Sequence, residues 1–383
     1  MTLIATSDEV AAFCHSVADA DFITVDTEFL RDRTYWPILC VMQIGGPGEA
    51  AAIDTLAEGI DLAPVLKLIT DHKVLKVFHA ARQDVEIFYH LSKKIPAPIF
   101  DTQVAAMVCG FGDSVSYETL VAQIAKAQLD KSLRFTDWAH RPLTKRQIEY
   151  ALADVVHLRA VYAELARRLE RNGRTSWLDE EMATLTDPET YRLDPREAWQ
   201  RLKTRTHSRR FLAVLREVAA WREIEAQSRD LPRNRVLRDD ALLDVAAHLP
   251  KTKADLGRLR SVSKGMAEGP AGSAMLKAVA AGLSVPERDA PEPQPRLDIP
   301  ASAKPVVELL KVLLKTKCES HGVAQKLVAS SADLEMIAVD DDAPVPALHG
   351  WRREVFGEDA LALKNGHVAL SVADRRVKLV RST

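Results

Sequence analysis

Two acidic residues stand at the end of a strongly apolar segment near the start of the chain. The segment is "FITVDTEFL", in which Asp26 and Glu28 follow Phe22, Ile23 and Val25. Side chains at positions i and i+2 of a β-strand leave the same face, so the two carboxylates are expected to lie side by side. Like charges at that distance resist joint ionisation unless a cation lies between them. The pattern therefore indicates a cation site at the end of a core strand.

Two further acidic motifs occur downstream. Asp84 lies in "FHAARQDVE", directly after the strand-like segment "VLKVF", and the strand ends of α/β sheets commonly bind ligands. In "YALAD", Tyr150 and Asp154 are four residues apart on a predicted helix and share one face. Four converging carboxylates could hold two Mg²⁺ or Mn²⁺ ions, because hard divalent cations prefer oxygen ligands. Two such ions about 3.5–4 Å apart can activate a water and stabilise the leaving oxygen in phosphodiester cleavage.

Each of these motifs has an ordinary structural explanation when it is taken alone. D-x-E on a strand is more often a solvated strand end, and Asp84 alone would be a helix cap or a surface acid. Y-x-x-x-D on a helix is more often a packed tyrosine beside an exposed acid. The combination of all three motifs, in this order and context, is what predicts one shared site.

The segments that carry these acids predict an α/β domain. Three β-like runs, "FITVDTEF", "ILCVMQIGG" and "AAAIDTL", are followed by the helical pattern "LAPVLKLI", the strand "VLKVF" and the helix "ARQDVEIFYHL". Adjacent strands followed by helix–strand alternation predict a mixed sheet flanked by helices over about the first 170 residues. The segment "LTKRQIEYALADVVHLRAVYAELARRLE" has apolar residues near a 3.6-residue period and predicts a long helix.

The chain changes character after this domain. Residues 196–260 contain 16 Lys and Arg and nine Asp and Glu, although the net charge of the whole chain is −2. The pattern here is all-helical, with a break at Leu231-Pro232. A proline-rich segment, "VPERDAPEPQPRLDIPASAKP", predicts an extended linker. A third helical unit follows it and ends in the strand-like "VALSV".

Composition restricts the class of protein. A chain of 383 residues with 47% hydrophobic and 28% charged residues is expected to fold into two or three globular domains. Four scattered cysteines without a C-x-x-C cluster indicate reduced, structural thiols rather than a zinc site or disulfides. The first residues lack a signal-peptide pattern and no apolar run reaches about 18 residues, so we expect a cytoplasmic protein without a membrane partner.

The motifs resemble those of a known superfamily. "VDTEF", "FHAARQDVE" and "YALAD" are similar to the three exonuclease motifs of the DEDD superfamily, in the branch whose third motif carries Tyr. Downstream, "WRE", "PRNRV" and "DDAL" resemble elements of the helicase-and-RNase-D C-terminal (HRDC) domain. The chain as a whole resembles the bacterial ribonuclease D family, well over residues 1–285 and only loosely over the last 80 residues.

The resemblance implies a domain plan and an activity. It predicts an α/β exonuclease domain with a ribonuclease H-like mixed sheet at residues 1–172, followed by two small all-α domains. These are an HRDC domain at 205–285 and a divergent HRDC-like copy at 305–383, separated by the linker 286–304. The implied function is a 3′–5′ exoribonuclease that releases 5′-mononucleotides and trims the unpaired 3′ tails of tRNA precursors and other structured RNAs. No obligate protein partner is expected.

The resemblance also assigns roles to the acidic motifs. Its catalytic set corresponds to Asp26, Glu28, Asp84, Tyr150 and Asp154, with the four acids as ligands of two divalent ions, Mg²⁺ or Mn²⁺. A phenol with a pKa near 10 is a poor base at neutral pH. We therefore expect Tyr150 to position the attacking water by a hydrogen bond, while the metal activates that water.

Several other residues are candidates for contacts with the nucleic acid, because aromatic rings stack on bases and basic patches neutralise phosphates. Each also has a structural alternative: Phe29 as a core residue, Gln43 bonded to backbone, His79 as a satisfied strand-end histidine. Trp138 is equally well explained as a lid over the core, and the arginines as a solvated helix face. Asp101 in "IFDTQ" is predicted to cap a helix. The candidates are Phe29, Gln43, His79, Trp138, Arg209, Arg210, Arg233 and Arg235.

Three other functions share some of these sequence features with an exoribonuclease. A single-stranded DNA exonuclease would use the same acids, because RNA is distinguished by contacts to its 2′-hydroxyl groups. A non-catalytic nucleic-acid-binding scaffold would be expected to lack one of the acids, and none is missing. A helicase would need a G-x-x-x-x-G-K-[ST] phosphate loop, which the chain lacks. The sequence therefore favours the exonuclease.

Overall fold

The computed structural model describes residues 2–130, 132–204, 208–293 and 299–381. The chain divides into two compact units. The first consists of residues 1–28, 40–190 and 296–383, and the second of residues 29–39 and 191–295. The first unit contains the acidic motifs, so its sheet and helices determine the geometry of the site.

A six-stranded sheet is the centre of the first unit, with strand order β1-β4-β3-β2-β5-β6. Strands β3 and β4 are antiparallel, whereas the pairs β1–β4, β2–β5 and β5–β6 are parallel. The predicted mixed sheet is confirmed, and the sequence missed only the two three-residue edge strands. The strands are β1 (Thr2–Ile4), β2 (Phe22–Leu30), β3 (Ile38–Gly45), β4 (Ala50–Asp54), β5 (Leu75–Phe78) and β6 (Ile99–Asp101).

Seven helices accompany this sheet up to residue 186, and the longest carries the third acidic motif. That helix, α6, begins with a capping box in which the Thr144 and Gln147 side chains each accept a bond from the other residue's backbone N–H. The fifth helix continues as a π-helix at Val121–Ala125. The helices are α1 (Ser7–Ser16), α2 (Ala63–Ile69), α3 (Arg82–Ser92), α4 (Thr102–Val108), α5 (Tyr117–Leu120), α6 (Lys145–Arg171) and α7 (Thr175–Thr186).

Helix α6 packs closely on the sheet beside β2. The Thr24 hydroxyl donates a hydrogen bond of 2.8 Å to the carbonyl oxygen of Val155. A Cβ atom at Gly45 would overlap the Thr24 hydroxyl and lie 3.2 Å from the same carbonyl. Glycine at this position therefore permits the close approach that brings the third motif to the first.

The second unit is helical, and its core is formed by apolar residues such as Val214, Leu242 and Met275. The predicted break at Leu231-Pro232 lies between its first two helices. Residues 29–39 belong to this unit because Tyr35 is buried against Ala226 and Val236, a contact that the sequence did not indicate. The helices are α8 (Arg209–Ser228), α9 (Arg233–Val236), α10 (Asp239–His248), α11 (Lys253–Gly257), α12 (Lys264–Glu268) and α13 (Pro270–Ser284).

The C-terminal residues form a helical cluster within the first unit, and it packs on the α/β part of that unit. Trp351 stacks on Trp177 of α7 with ring centroids 4.3 Å apart. Arg174 donates hydrogen bonds to the carbonyl oxygens of His321 and Gly322. These contacts attach the cluster to the α/β domain. Its helices are α14 (Lys304–His321), α15 (Gln325–Val328), α16 (Ser331–Val339), α17 (Gly350–Arg352) and α18 (Glu358–Lys364), with a π-helix at Arg353–Gly357.

The C-terminal cluster differs from the predicted all-α domain in one respect, because it ends in a β-hairpin. Strands β7 (Val368–Ala373) and β8 (Arg376–Arg381) pair in antiparallel register. The turn residues Asp374 and Arg375 have φ angles of 53° and 60°. Asn-Gly or Asp-Gly would have been the strong sequence signal for such a turn. The pair Asp-Arg carries no such signal, so only the first strand was predicted.

Some sequence predictions concern residues that the structure does not describe. The linker predicted at 286–304 includes residues 294–298, and the HRDC domain predicted at 205–285 begins with residues 205–207, all outside the described residues. Within the described chain, no helix is both long enough and apolar enough to cross a membrane. Among the described residues, no disulfide joins any of the four cysteines.

Candidate active site

Strand β2 and helix α6 bring three carboxylates together. One oxygen from each of Asp26, Glu28 and Asp154 lies within 4.8 Å of the other two. Asp26 and Glu28 are two residues apart on β2, and Asp154 is supplied by α6. Among the described residues, no lysine or arginine forms an ion pair with these three side chains. A set of oxygen ligands without a cationic partner fits a hard divalent cation.

The electrostatics of this cluster also fit a cation. Burial raises the pKa of Asp26 well above its usual range, and the nearby Asp154 raises it further. Burial raises the pKa of Glu28 to about 10, and the charges of Asp26 and Asp154 contribute to the increase. The pKa of Asp154 rises to about 7, first through burial and then through Glu118. The cluster therefore holds protons at neutral pH, and a bound cation would take their place.

Asp84 stands beside the cluster, in the first turn of α3. Its side chain is buried and its Oδ1 accepts a hydrogen bond from the Thr27 hydroxyl, which fixes its orientation. Burial raises the pKa of Asp84 well above its usual range, and Asp26 is the next cause. Because Thr27 lies between Asp26 and Glu28 on β2, the bond ties the second motif directly to the first.

The turn that leads into α3 is held by Asp101. Ala80 has a φ angle of 61°, in the left-handed region that residues other than glycine rarely adopt. The Asp101 carboxylate accepts hydrogen bonds from the backbone N–H groups of Ala80 at 3.0 Å and Ala81 at 2.8 Å. The same carboxylate caps α4, accepting from the N–H groups of Gln103 and Val104, which confirms the predicted cap. Asp101 thus stabilises the turn that positions Asp84.

Tyr150 lies one helical turn before Asp154 on α6. Burial raises the pKa of Tyr150 above its ordinary value near 10, and Asp154, Glu28 and Asp26 raise it further. The side chain therefore stays a neutral phenol that can donate a hydrogen bond. Tyr117 supports the same turn of the helix, because its hydroxyl donates a bond of 2.7 Å to the carbonyl oxygen of Asp154.

Asp26, Tyr150 and Asp154 face a cavity of about 420 Å³. Its wall includes Tyr117 and Glu118 of α5, which the sequence did not identify as site residues. They lie in "SYETL", a short amphipathic pattern with no local feature that links it to the acidic motifs. Only the packing of α5 brings them to the cavity. The lining includes Asp26, His79, Tyr117, Glu118, Arg134, Tyr150 and Asp154.

His79 follows β5 and lines the cavity, while its Nδ1 lies 3.0 Å from the Thr102 hydroxyl oxygen. That hydroxyl donates its hydrogen to the carbonyl oxygen of Phe78 at 2.9 Å. The Nδ1 atom of His79 must then be the donor to Thr102, and burial lowers the pKa of the ring. His79 is therefore neutral, with an unprotonated Nε2. This arrangement agrees with the alternative of a satisfied strand-end histidine.

The other predicted RNA-contacting residues of the first domain are Gln43, Trp138 and Phe29, and all three are at least half-buried. Gln43 is fully buried, and neither atom of its amide has a hydrogen-bond partner in the described chain, so the expected backbone bond is absent. Trp138 is only 3% exposed, with its ring centroid 5.9 Å from that of Tyr150, which favours the alternative of a core lid. Phe29 is half-buried at the end of β2. Their contacts with RNA stay predictions.

The four predicted arginines lie in the second unit, and three of them make contacts within it. Arg209 pairs with Glu292, and Arg210 donates to the carbonyl oxygen of Leu283 at the end of α13. Arg233 pairs with the buried Glu223 at 2.5 Å and donates to the Tyr35 hydroxyl. Arg235 is exposed on α9. A role of these four side chains in RNA binding also stays a prediction.

Comparisons with known proteins agree with this geometry. A family model described as 3′–5′ exonuclease matches residues 1–170, and one described as HRDC domain matches residues 211–279. The chain is 51% identical over 380 residues to "Ribonuclease D" of Granulibacter bethesdensis, covering 99% of this chain and 96% of that one. It is 53% identical over 378 residues to "Ribonuclease D" of Nitrobacter hamburgensis, covering 98% of each.

A solved structure shares the fold over nearly the whole chain. The crystal structure of Escherichia coli RNase D, described as an exoribonuclease involved in structured RNA processing, has a TM-score of 0.81 and 31% identity. The match covers 94% of this chain and 96% of that chain. The fold and the acidic cluster define a divalent-metal-dependent 3′–5′ exonuclease of the DEDD superfamily. With such relatives over its full length, the chain belongs to the ribonuclease D family and is a 3′–5′ exoribonuclease.

Proposed function

We propose that this exoribonuclease trims the unpaired 3′ tails of structured RNAs, tRNA precursors among them, at a site built from Asp26, Glu28, Asp84 and Asp154. The observation that carries the proposal is the approach of three carboxylates, two from β2 and one from α6, to within 4.8 Å of one another, with Asp26 and Asp154 on the wall of one cavity. The description of the E. coli relative as an enzyme of structured RNA processing supports the substrate class.

In this proposal the four acids bind two divalent ions, Mg²⁺ or Mn²⁺. Such ions lower the pKa of the attacking water and stabilise charge on the leaving 3′ oxygen. Asp26, Glu28 and Asp154 supply the converging oxygens, and the Thr27 hydroxyl holds Asp84 in one orientation. The residues thereby set the positions of the scissile phosphate and of the water that attacks it.

Tyr150 acts as a hydrogen-bond donor in this scheme. Its raised pKa excludes it as a base at neutral pH, since the phenol would have to lose its proton next to several carboxylates. As a neutral phenol on the cavity wall it can orient the water or a phosphate oxygen. His79, with Nε2 unprotonated, can accept a hydrogen bond from a ribose hydroxyl in the same cavity.

The helical domains bind the body of the RNA in this proposal. We retain the domain limits 1–172, 205–285 and 305–383, with the linker at 286–304. The excess of Lys and Arg over residues 196–260 supports phosphate contacts, whose strength should fall with salt concentration. Such contacts do not depend on base sequence, which suits an enzyme that acts on many structured RNAs.

The test uses an RNA hairpin with an unpaired 3′ tail, labelled at its 5′ end. We expect Mg²⁺ or Mn²⁺ to produce a ladder that shortens from the 3′ end and releases 5′-mononucleotides, and a chelator to abolish it. Asp84→Asn should remove hydrolysis while RNA binding persists. Glu58→Gln, a change at an exposed acid of the same unit, is the matched control and should retain full activity.

Two results would overturn this proposal. One is the absence of shortening with either metal although the RNA is bound, and the other is an Asp84→Asn variant that cleaves at the rate of the Glu58→Gln control. A matched DNA tail in the same assay measures the preference between ribose and deoxyribose. If DNA were cleaved faster than RNA, the substrate in this proposal would be single-stranded DNA instead. Circular dichroism of each variant distinguishes a lost catalytic group from a lost fold.

A further inference from the structure

The most exposed large apolar side chain in the described part of the exonuclease domain lies beside the cavity. Phe135 is 92% exposed, whereas the neighbouring Trp138, which the sequence offered equally as an RNA contact or as a lid over the core, is buried. Leaving an aromatic ring in water forgoes the free energy that its burial would contribute. A single exposed ring needs no explanation in itself. The position of this ring, next to the acidic cavity, is what indicates a function.

The segment that carries Phe135 is anchored on both sides to the start of α6. The Arg146 guanidinium donates to Asp130 Oδ2 at 3.0 Å and to Ser132 Oγ at 3.1 Å. The Gln147 amide donates to the Thr136 hydroxyl at 3.4 Å and to the Asp137 carbonyl at 3.5 Å. The ring is therefore exposed on a loop that is hydrogen-bonded to the start of α6, the helix that carries Tyr150 and Asp154.

The same segment borders the acids. Arg134 lines the main cavity together with Asp26 and Asp154. Asp130 and Leu133 line a second depression of about 180 Å³ that also touches Tyr150 and Asp154. The segment thus lies between two cavities that share the third motif. Residues of this segment therefore form part of the wall of each cavity.

Arg134 and Phe135 combine two features that single-stranded nucleic acids recognise. The Arg134 guanidinium carbon lies 5.5 Å from the centroid of the Phe135 ring, so a positive charge and an exposed aromatic face are adjacent. Bases stack on such faces without sequence preference, and a neighbouring cation contacts the phosphate. Sequence-independent binding is what an exonuclease requires as each new base arrives.

We propose that Phe135 is a stacking platform for one unpaired base of the RNA 3′ tail, with Arg134 contacting the adjacent phosphate. This inference rests on the proposed function, because it assigns a binding site for the tail that the acids cleave. The ligand is an unpaired nucleobase of any identity. Phe135 binds the substrate and takes no part in the chemical step.

The first test separates binding from chemistry on the 5′-labelled tailed hairpin. Stacking on one aromatic ring corresponds to about a 5- to 150-fold loss in affinity when the ring is removed. We expect Phe135→Ala to raise KM by that factor and leave kcat within about twofold. Phe135→Trp should restore KM, and Phe135→Leu should not, because leucine offers apolar area without a π-face. Leu91→Ala, at a 43% exposed residue of α3, is the matched control and should leave KM unchanged.

The second test identifies the base. Abasic residues placed one at a time along the tail should raise KM most at one position in the wild type, and that increase should vanish in Phe135→Ala. Equal KM values for wild type and Phe135→Ala, or an abasic effect that persists in the variant, would overturn the inference. So would a change of oligomeric state in Phe135→Ala measured by light scattering, which would make the ring a contact between copies of the chain.

Failure of this inference is distinguishable from failure of the proposed function. With a chelator present, a tail containing 2-aminopurine reports stacking through its fluorescence and requires no cleavage. Quenching by wild type and Phe135→Trp but not by Phe135→Ala would support the platform even if no hydrolysis were found. Metal-dependent hydrolysis without any difference in quenching would leave the exonuclease intact and remove the platform.

Discussion

Replacing Asp154 by Asn should make the metal-free protein more stable while removing its activity. In the wild type, burial and Glu118 raise the pKa of Asp154 to about 7 from an ordinary value near 3.8. The amide of Asn has nearly the same shape but no charge to repel Asp26 and Glu28. The substitution therefore removes an unfavourable charge from the folded state at neutral and alkaline pH.

The sign and size of the effect follow from proton linkage. Below pH 4 the carboxyl is protonated in both the folded and the unfolded chain, so its charge has no effect on stability. Between about pH 4 and pH 7 the unfolded chain loses the proton first, and the stability of the folded wild type falls as pH rises. A pKa difference of about 3 corresponds to about 4 kcal/mol, which is an upper limit because the neighbouring acids readjust.

Thermal unfolding of wild type and Asp154→Asn in chelator, at pH 5 and at pH 8, measures this effect. We expect the Tm of the variant to exceed that of the wild type by a few degrees at pH 5, where only part of the linkage free energy is lost, and by more at pH 8, since about 1 kcal/mol moves the Tm of a domain of this size by 2–4 °C. Saturating Mg²⁺ should raise the Tm of the wild type more than that of the variant, because a bound ion stabilises only the folded state.

The reasoning about Asp154 would be refuted by a variant that is less stable than wild type in chelator at pH 8. It would also be refuted by a Tm difference that is the same at both pH values, since that would indicate a packing effect rather than a charge. Glu58→Gln serves again as the matched control, because an exposed carboxylate removed from the surface should change neither Tm nor its pH dependence.

Three further changes test other parts of the molecule. Tyr150→Phe should lower kcat about 10- to 100-fold, the loss expected for one hydrogen bond to a charged group, while Mg²⁺ affinity measured by calorimetry stays unchanged. Thr27→Val removes the hydroxyl that orients Asp84 and should weaken metal affinity about 10- to 100-fold in the same titration. Glu223→Gln leaves Arg233 without its buried partner and should destabilise the second unit by about 3–5 kcal/mol in urea unfolding, with the metal affinity of the acids preserved as a check on locality.

The sequence predicted the elements of the site because its signals are local. The alternation and apolar content of "FITVDTEFL" define a strand whose period places Asp26 and Glu28 on one face. Tyr150 and Asp154 are one turn apart on a helix whose capping box and periodicity are both visible in the sequence. Their convergence was inferred from the combination of the three motifs and from its resemblance to known exonucleases, since no local rule brings β2 to α6.

What the sequence could not predict depends on contacts between distant segments. The burial of Trp138 and the exposure of Phe135 cannot be distinguished by composition, because both lie in the same loop-like stretch. The Arg141 side chain donates hydrogen bonds to Asp54 and to the Trp138 carbonyl oxygen. These bonds hold Trp138 against β4, so Trp138 is buried and Phe135 is not. Likewise, the inclusion of residues 29–39 in the second unit depends on hydrogen bonds from the backbone of Tyr35 and Trp36 to Asp230, nearly 200 residues away.

The repulsion among the acids explains why the strand, helix and turn that carry them are fixed by buried hydrogen bonds. One buried and three half-buried carboxylates, all with raised pKa values, destabilise the metal-free fold, and sites of this kind persist only when their surroundings stabilise them. Here the compensation is local. The Thr24 hydroxyl binds α6 to the sheet two residues before Asp26, and Asp101 holds the strained turn that leads to Asp84. Weakening either support should therefore affect stability more in chelator than in Mg²⁺, because the bound ion removes the repulsion that the support offsets.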